Sequence, residues 1–226
     1  MYIFIENFIE LLKNENIIFF LLLSFIIGSI PFGLIITKIY GYGDIRNIGS
    51  GNIGATNVLR TGNKLLAALT LILDVSKSFI ILYLAQINFK PIINEELITT
   101  LFVSLGLLSI LGHMFSPFLL FKGGKGIATS AGILLFLSWP CALLSLLVWI
   151  ISALIFKTSS LGALASSISA PIFFWSLREI VNTGLLSDSL RVSNIEIYIV
   201  LIIVLLIWIK HIPNIKRIIQ GIESKI

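Results

Sequence analysis

Apolar runs about as long as a bilayer-crossing helix, separated by short polar loops, constrain this chain more than any other feature. Ile17 to Ile36, Leu97 to Phe121 and Ile195 to Ile209 approach or exceed the roughly 20 residues that a helix rising about 1.5 Å per residue needs to cross the hydrocarbon. Only 12% of the 226 residues are charged and 57% are hydrophobic, where soluble domains carry ~25% charged residues, so the solvent for most of the chain is lipid. The first run does not read as a signal peptide: Glu6, Glu10 and Glu15 precede it, Pro31 interrupts it, and no small-residue cleavage site closes it. The single cysteine, Cys141, can make no intrachain disulfide and has no partner for a metal site.

The spacing predicts spans over about 17 to 39, 64 to 87, 97 to 121, 161 to 181 and 195 to 210. The run 126 to 156 is long for one crossing, and Ser138, Trp139 and Pro140 sit near its middle, where proline ends or kinks a helix. Splitting it there gives an all-α membrane protein of about seven transmembrane helices, a single polytopic domain over 1–226. The basic loops then alternate onto one side: Lys38, Arg46, Arg60 and Lys64; Lys122 and Lys125; Lys157; Lys210, Lys216, Arg217 and Lys225. By the positive-inside rule that side is cytoplasmic, which puts the acidic N-terminus outside and the C-terminus inside. The same rule accounts for the net charge of +5 better than nucleic-acid binding does, because the basic residues build no single stripe. A helix is expected to end before Pro213, with Ile212, Ile215, Ile218, Ile219 and Ile222 lying flat on the interface.

Two glycine-rich loops fall on the cytoplasmic face. The first contains Ser50, Gly51, Asn52, Gly54, Thr56, Asn57 and Arg60. Its G-x-G-x-x-G spacing is no dinucleotide fingerprint, since it follows a membrane helix and not a strand. Glycines and a following helix N-terminus do let backbone N–H groups converge on an anion, and arginine can clamp two oxygens. The second, Lys122-Gly123-Gly124-Lys125-Gly126, lacks the Ser or Thr of a nucleotide P-loop but offers two point charges and free backbone donors. Solvated connecting loops are the plain alternative for both. Asp74 and Lys77 stand within a span, where each charge costs about 2.5 to 3.5 kcal/mol on insertion scales, and their i, i+3 spacing lets them pair. His113 reads as a hydrogen-bonded packing residue near the lysine loop. His211, with Asn214 nearby, sits at a membrane boundary and can take a proton near neutral pH.

These islands resemble the bacterial acyl-phosphate:glycerol-3-phosphate acyltransferases, the PlsY family. The likeness runs through Gly28-Ser-Ile-Pro-Phe-Gly33, Asp44 to Arg60, Leu73-Asp-Val-Ser-Lys77, Gly112-His and Lys122 to Gly126, and ends at His211, Asn214, Arg217, Gly221 and Glu223. Lys157-Thr158 replaces the family's usual Arg-Tyr, Lys210 its usual arginine, and Ser78 its usual glycine.

The resemblance implies transfer of a long-chain acyl group from acyl phosphate to the 1-hydroxyl of glycerol 3-phosphate, giving lysophosphatidic acid and phosphate at the cytoplasmic face of the bacterial inner membrane. It implies no cofactor and no metal, because the donor carries its own leaving group. It also implies a partner enzyme that makes acyl phosphate. On that reading Ser50 to Asn57 hold the acyl-phosphate group, and Arg60, Lys122 and Lys125, with the glycines between and after the lysines, grip the acceptor's phosphate. Ser160, Asn214 and His211 orient the attacking hydroxyl, whose proton goes either to His211 or to the donor's own phosphate. Ser160 as covalent nucleophile is disfavoured because the sequence sets no base beside it. The competing classes are a carrier of phosphate or a phosphate ester, which should show broken helices near the midplane and a site open to both faces, and a scaffold whose polar loops are mere connectors.

Overall fold

The computed structural model describes residues 2–226, and among these it is entirely helical, with no strand. In chain order the helices are α1 (Tyr2–Leu11), α2 (Glu15–Ser29), α3 (Phe32–Ile39), α4 (Ala55–Leu59), α5 (Lys64–Phe89), α6 (Glu95–Met114), α7 (Ile127–Leu137), α8 (Trp139–Phe156), α9 (Ser159–Asn182) and α10 (Asn194–Ile219). Five are each long and apolar enough to cross a membrane: α5, α6, α8, α9 and α10. The bent pair of α1 and α2, which meet at 106°, supplies a sixth candidate.

Helix boundaries follow local chemistry. Asn14, Asn63, Asn94 and Ser193 accept from backbone N–H groups at the starts of α2, α5, α6 and α10, and Ser193 closes a capping box with Glu196. The expected break in the run 126 to 156 is present: α7 ends at Leu137, Ser138 is extended, and Pro140 sits in the first turn of α8, where its missing N–H removes no helical bond. With 11 residues, α7 rises about 16 Å, roughly half the hydrocarbon thickness.

Three expectations need correction. The run 17 to 39 divides into α2 and α3, because Ile30, which precedes Pro31, is extended. The run 97 to 121 leaves the helix at Met114; a 3-10 turn over Pro117–Leu119 follows, with Leu120 and Phe121 both left-handed at φ 51° and 63°. In contrast, α10 does not stop before Pro213 but runs through it to Ile219. The proline removes one backbone donor only, and the helix on both sides is held by packing.

The largest buried cluster joins α2, α5, α6, α7 and α10 around Leu82, Leu101, Ile110 and Ile203. A second lies between α7, α8, α9 and α10 around Phe174, Leu134, Ala170 and Val200. A smaller one pins the first polar loop to the bundle: Ile45, Ile53 and Val58 are buried against Leu34 and Leu66. That loop is therefore polar on one face and pegged by apolar side chains on the other.

Candidate active site

The two glycine-rich loops, the start of α9 and the end of α10 converge on one cavity of about 380 Å³. Its mouth is bordered by Ser50, Asn52, Gly54, Thr56, Asn57 and Arg60 from the first loop, Lys125 and Gly126 from the second, Ser160 from α9, and His211, Asn214 and Glu223 from the C-terminal segment. Inward it becomes apolar, between Leu71, Leu134, Leu146, Ala163, Ile203 and Ile207. Lys122, Gly51, Gly123 and Gly124 do not border it. Lys122 follows the left-handed pair Leu120–Phe121 and is exposed, so only one of the two lysines is brought to the other polar groups.

Asn57 organises the first loop from within. Its amide nitrogen donates toward the carbonyls of Ile45 (2.9 Å), Ile48 (2.9 Å) and Asn52 (2.7 Å). Its Oδ1 accepts from the Ser50 N–H at 3.1 Å and from Arg60 Nη1 at 3.1 Å. The side chain is 2% exposed and fully engaged, so it shapes the loop and orients Arg60. Thr56 Oγ1 lies 3.0 Å from Ser159 Oγ and ties this loop to the start of α9.

The second loop is placed by α6. The Gly124 N–H donates to the His113 carbonyl at 3.0 Å, and a Cβ on Gly124 would stand 2.2 Å from His113 Nε2. Gly126 opens α7 at φ 81°, a conformation that suits glycine, with the Met114 methyl where its Cβ would be. His113 is itself held: its Nδ1 is 2.8 Å from Lys77 Nζ, which pairs with Asp74 Oδ1 at 2.9 Å and donates to the Ile30 carbonyl at 3.3 Å. The expected Asp74–Lys77 pair is present, and it braces α5, α6 and the α2–α3 break beneath the lysine loop. Burial, the largest influence, lowers the Lys125 ammonium to about 8 from its ordinary 10.5; Glu223 opposes this, and Arg217 and Arg60 add to it.

Glu223 carries no role in the sequence reading beyond its spacing, yet it joins the third wall of the site. Its Oε1 accepts from Ser160 Oγ (2.8 Å) and Asn214 Nδ2 (2.6 Å), and its Oε2 accepts from Arg217 Nε (2.7 Å). A carboxylate therefore does stand beside Ser160, which corrects the expectation that no base would. It is a poor base. Burial favours its neutral form, but the bonds from Asn214, Arg217 and Ser160 outweigh this and hold it below the usual carboxylate range. No local sequence signal reveals this hub, since Ser160 lies 63 positions from Glu223.

Two atoms remain available for a substrate hydroxyl. His211 Nδ1 lies 2.8 Å from the Ile207 carbonyl, which can only accept, so Nδ1 carries the hydrogen and Nε2 is the free acceptor. Asn214 spends its amide nitrogen on Glu223, and its buried Oδ1 has no hydrogen-bond partner. Both residues are 2% exposed and border the cavity.

A polar mouth suited to anions, set above an apolar limb, agrees with what sequence and structure comparison return. Residues 18–221 match the profile of the glycerol-3-phosphate acyltransferase family. A glycerol-3-phosphate acyltransferase of Bartonella henselae is 46% identical over 209 residues, covering 91% of this chain and 89% of that protein. One from Jannaschia sp. is 42% identical, covering 91% and 90%. Two crystal structures of PlsY, described as an integral membrane glycerol 3-phosphate acyltransferase, superpose with TM-scores of 0.77 (glycerol 3-phosphate form) and 0.75 (lysophosphatidic acid form). They share 34% and 33% identity, over 93% of this chain and 96% and 95% of theirs. The carrier reading finds no support among these relatives. With a profile match over most of its length and curated relatives above 40% identity, the chain belongs to the glycerol-3-phosphate acyltransferase family.

Proposed function

We propose that this membrane enzyme acylates the 1-hydroxyl of glycerol 3-phosphate from a long-chain acyl phosphate, releasing lysophosphatidic acid and inorganic phosphate. The observation that carries the reading is the single cavity whose cationic, amide-rich mouth continues into an apolar limb between α7, α8, α9 and α10, since both the donor and the lipid product join a phosphate to a hydrocarbon tail. Arg60 and Lys125 supply positive charge for the phosphates, and the Ser50 to Asn57 loop supplies neutral donors.

In the reaction the acceptor hydroxyl donates a hydrogen bond to Asn214 Oδ1 or His211 Nε2, its oxygen attacks the acyl carbonyl carbon, and the C–O bond to phosphate breaks. Phosphate leaves with the bonding pair. The hydroxyl proton passes to His211 and then to the departing phosphate, so atoms and charge balance without a cofactor. Ser160, fixed by Glu223, positions the hydroxyl and makes no covalent intermediate.

Seven crossings, with α7 as a short one, place both glycine-rich loops, Lys157 and the end of α10 together on the cytoplasmic side of the bacterial inner membrane. The basic residues of those loops support this orientation. An enzyme that makes acyl phosphate is the partner this scheme requires.

The test is lysophosphatidic acid formation by purified protein in lipid, with acyl phosphate, acyl-CoA and acyl carrier protein offered separately in the presence of chelator. Product from acyl phosphate alone supports the donor class. Product from acyl-CoA alone would replace it.

A further inference from the structure

The apolar limb of the cavity has a closed end. Traced inward from the mouth, its border on α9 runs from Ser160 to Ala170 and on α10 from His211 to Val200; on α7 it stops at Leu134 and on α8 at Ala142. Leu134, Ala170 and Val200 belong to one buried cluster against which Ala142 packs, so the four residues that end the border pack in one group. The same cluster also holds Phe174, 0% exposed, and Cys141, 1% exposed. Ten residues along α9 and eleven along α10 each correspond to about 15 Å at 1.5 Å per residue, and this is the depth below the reacting groups.

We propose that Leu134, Ala142, Ala170 and Val200 set the length of acyl chain that the site accepts, acting as the floor on which the chain's terminal methyl rests. This rests on the acyl-transfer reading given above. Close-packed interiors yield poorly to added methylenes, so a chain longer than the limb must displace buried side chains or bend out of it. Two of the four are alanines, which leaves the floor low; larger side chains there would raise it. The flank of the limb is not sealed in the same way. Leu71 on α5 and Leu146 on α8 border the cavity while 48% and 50% exposed, and Leu146 stands one turn nearer the mouth than Ala142. A tail arriving from lipid enters past these two residues and is stopped by the four below them.

The experiment is a profile of kcat/KM across decanoyl, dodecanoyl, hexadecanoyl and octadecanoyl phosphates for the unmodified protein, Ala170→Leu, Val200→Phe and Leu134→Ala. Raising the floor is expected to lower the hexadecanoyl-to-dodecanoyl ratio by about tenfold or more, the discrimination that a few methylenes confer in an apolar pocket. Lowering it with Leu134→Ala is expected to move the ratio toward octadecanoyl. If an enlarged variant is inactive with every donor, the Leu134→Ala profile decides alone. Unchanged ratios in active variants overturn the floor while leaving the acyl-transfer reading intact, because long chains would then be spilling out between α5 and α8. An unmodified protein that makes no product from any acyl phosphate takes down the acyl-transfer reading and the floor with it.

Discussion

Ser160 Oγ donates to Glu223 Oε1 at 2.8 Å and so joins the first turn of α9 to the tail that follows α10. The tail is also held further on, where the Ile226 N–H donates to the Lys157 carbonyl at 2.9 Å. Through Glu223 the tail becomes part of the cavity wall, since the same carboxylate fixes Asn214 and Arg217.

Substitution of Glu223 should therefore act on catalysis through its partners. Glu223→Gln keeps an acceptor for Ser160 and Asn214 but turns an amide donor toward Arg217, whereas Glu223→Ala removes every bond. Loss of one charge-assisted bond, ~1.5–3 kcal/mol, corresponds to roughly a tenfold to hundredfold fall in kcat/KM. The alanine variant should lose more than the glutamine variant, and its unfolding temperature in detergent should drop further. Undiminished activity in both would show that the carboxylate organises nothing.

Lys125 links activity and stability to pH in opposite directions. It loses its proton near pH 8 in the folded protein but near 10.5 when unfolded, so between these values the unfolded state binds more protons and stability rises with pH. Over the same interval the cavity loses a positive charge, so on the proposed reading phosphate binding should weaken. KM for glycerol 3-phosphate should climb above about pH 8 while the unfolding temperature, corrected for other groups with Lys125→Arg, does not fall. An arginine variant should show a flat KM to higher pH.

The Asp74–Lys77 pair is buried, and its members should not be separable. Lys77→Met leaves Asp74 and His113 without their common partner, with an expected loss of about 3–5 kcal/mol in stability. Asp74→Asn combined with Lys77→Met should recover most of that. If the double variant is no more stable than Lys77→Met alone in chemical denaturation, the brace is not a coupled unit.

His211→Gln should lower kcat by about a hundredfold or more, with KM for either substrate little changed, as expected for loss of a general base. A change in kcat below tenfold would mean that the proton passes directly to the donor's phosphate.

Much of this arrangement is legible in the residues because it is local. The five helices of membrane length follow from apolar runs, the α7–α8 junction from Ser138-Trp139-Pro140, and the Asp74–Lys77 pair from i, i+3 spacing. What escapes local reading is whatever long-range packing decides. Pro213 looks like a terminus by propensity, but α10 passes through it. Lys122 and Lys125 are equivalent in the sequence, and only the left-handed turn at Leu120–Phe121 separates the exposed one from the one at the cavity. Asn57 reads as a ligand by type, yet contacts with Ile45 and Ile48, twelve and nine positions away, consume its amide.

The break at Ser138 has a consequence for how such an enzyme can diverge. It uncouples the length of α7 from that of α8, and both helices terminate or begin within a few residues of the chain-length floor while their other ends hold the anion loop and Lys157. A turn of helix, about 5.4 Å, gained or lost at this junction would reset the hydrocarbon compartment and leave the phosphate chemistry untouched. Two of the four floor residues, Leu134 and Ala142, would shift with this junction, while Ala170 and Val200 stay on the helices that carry Ser160 and His211.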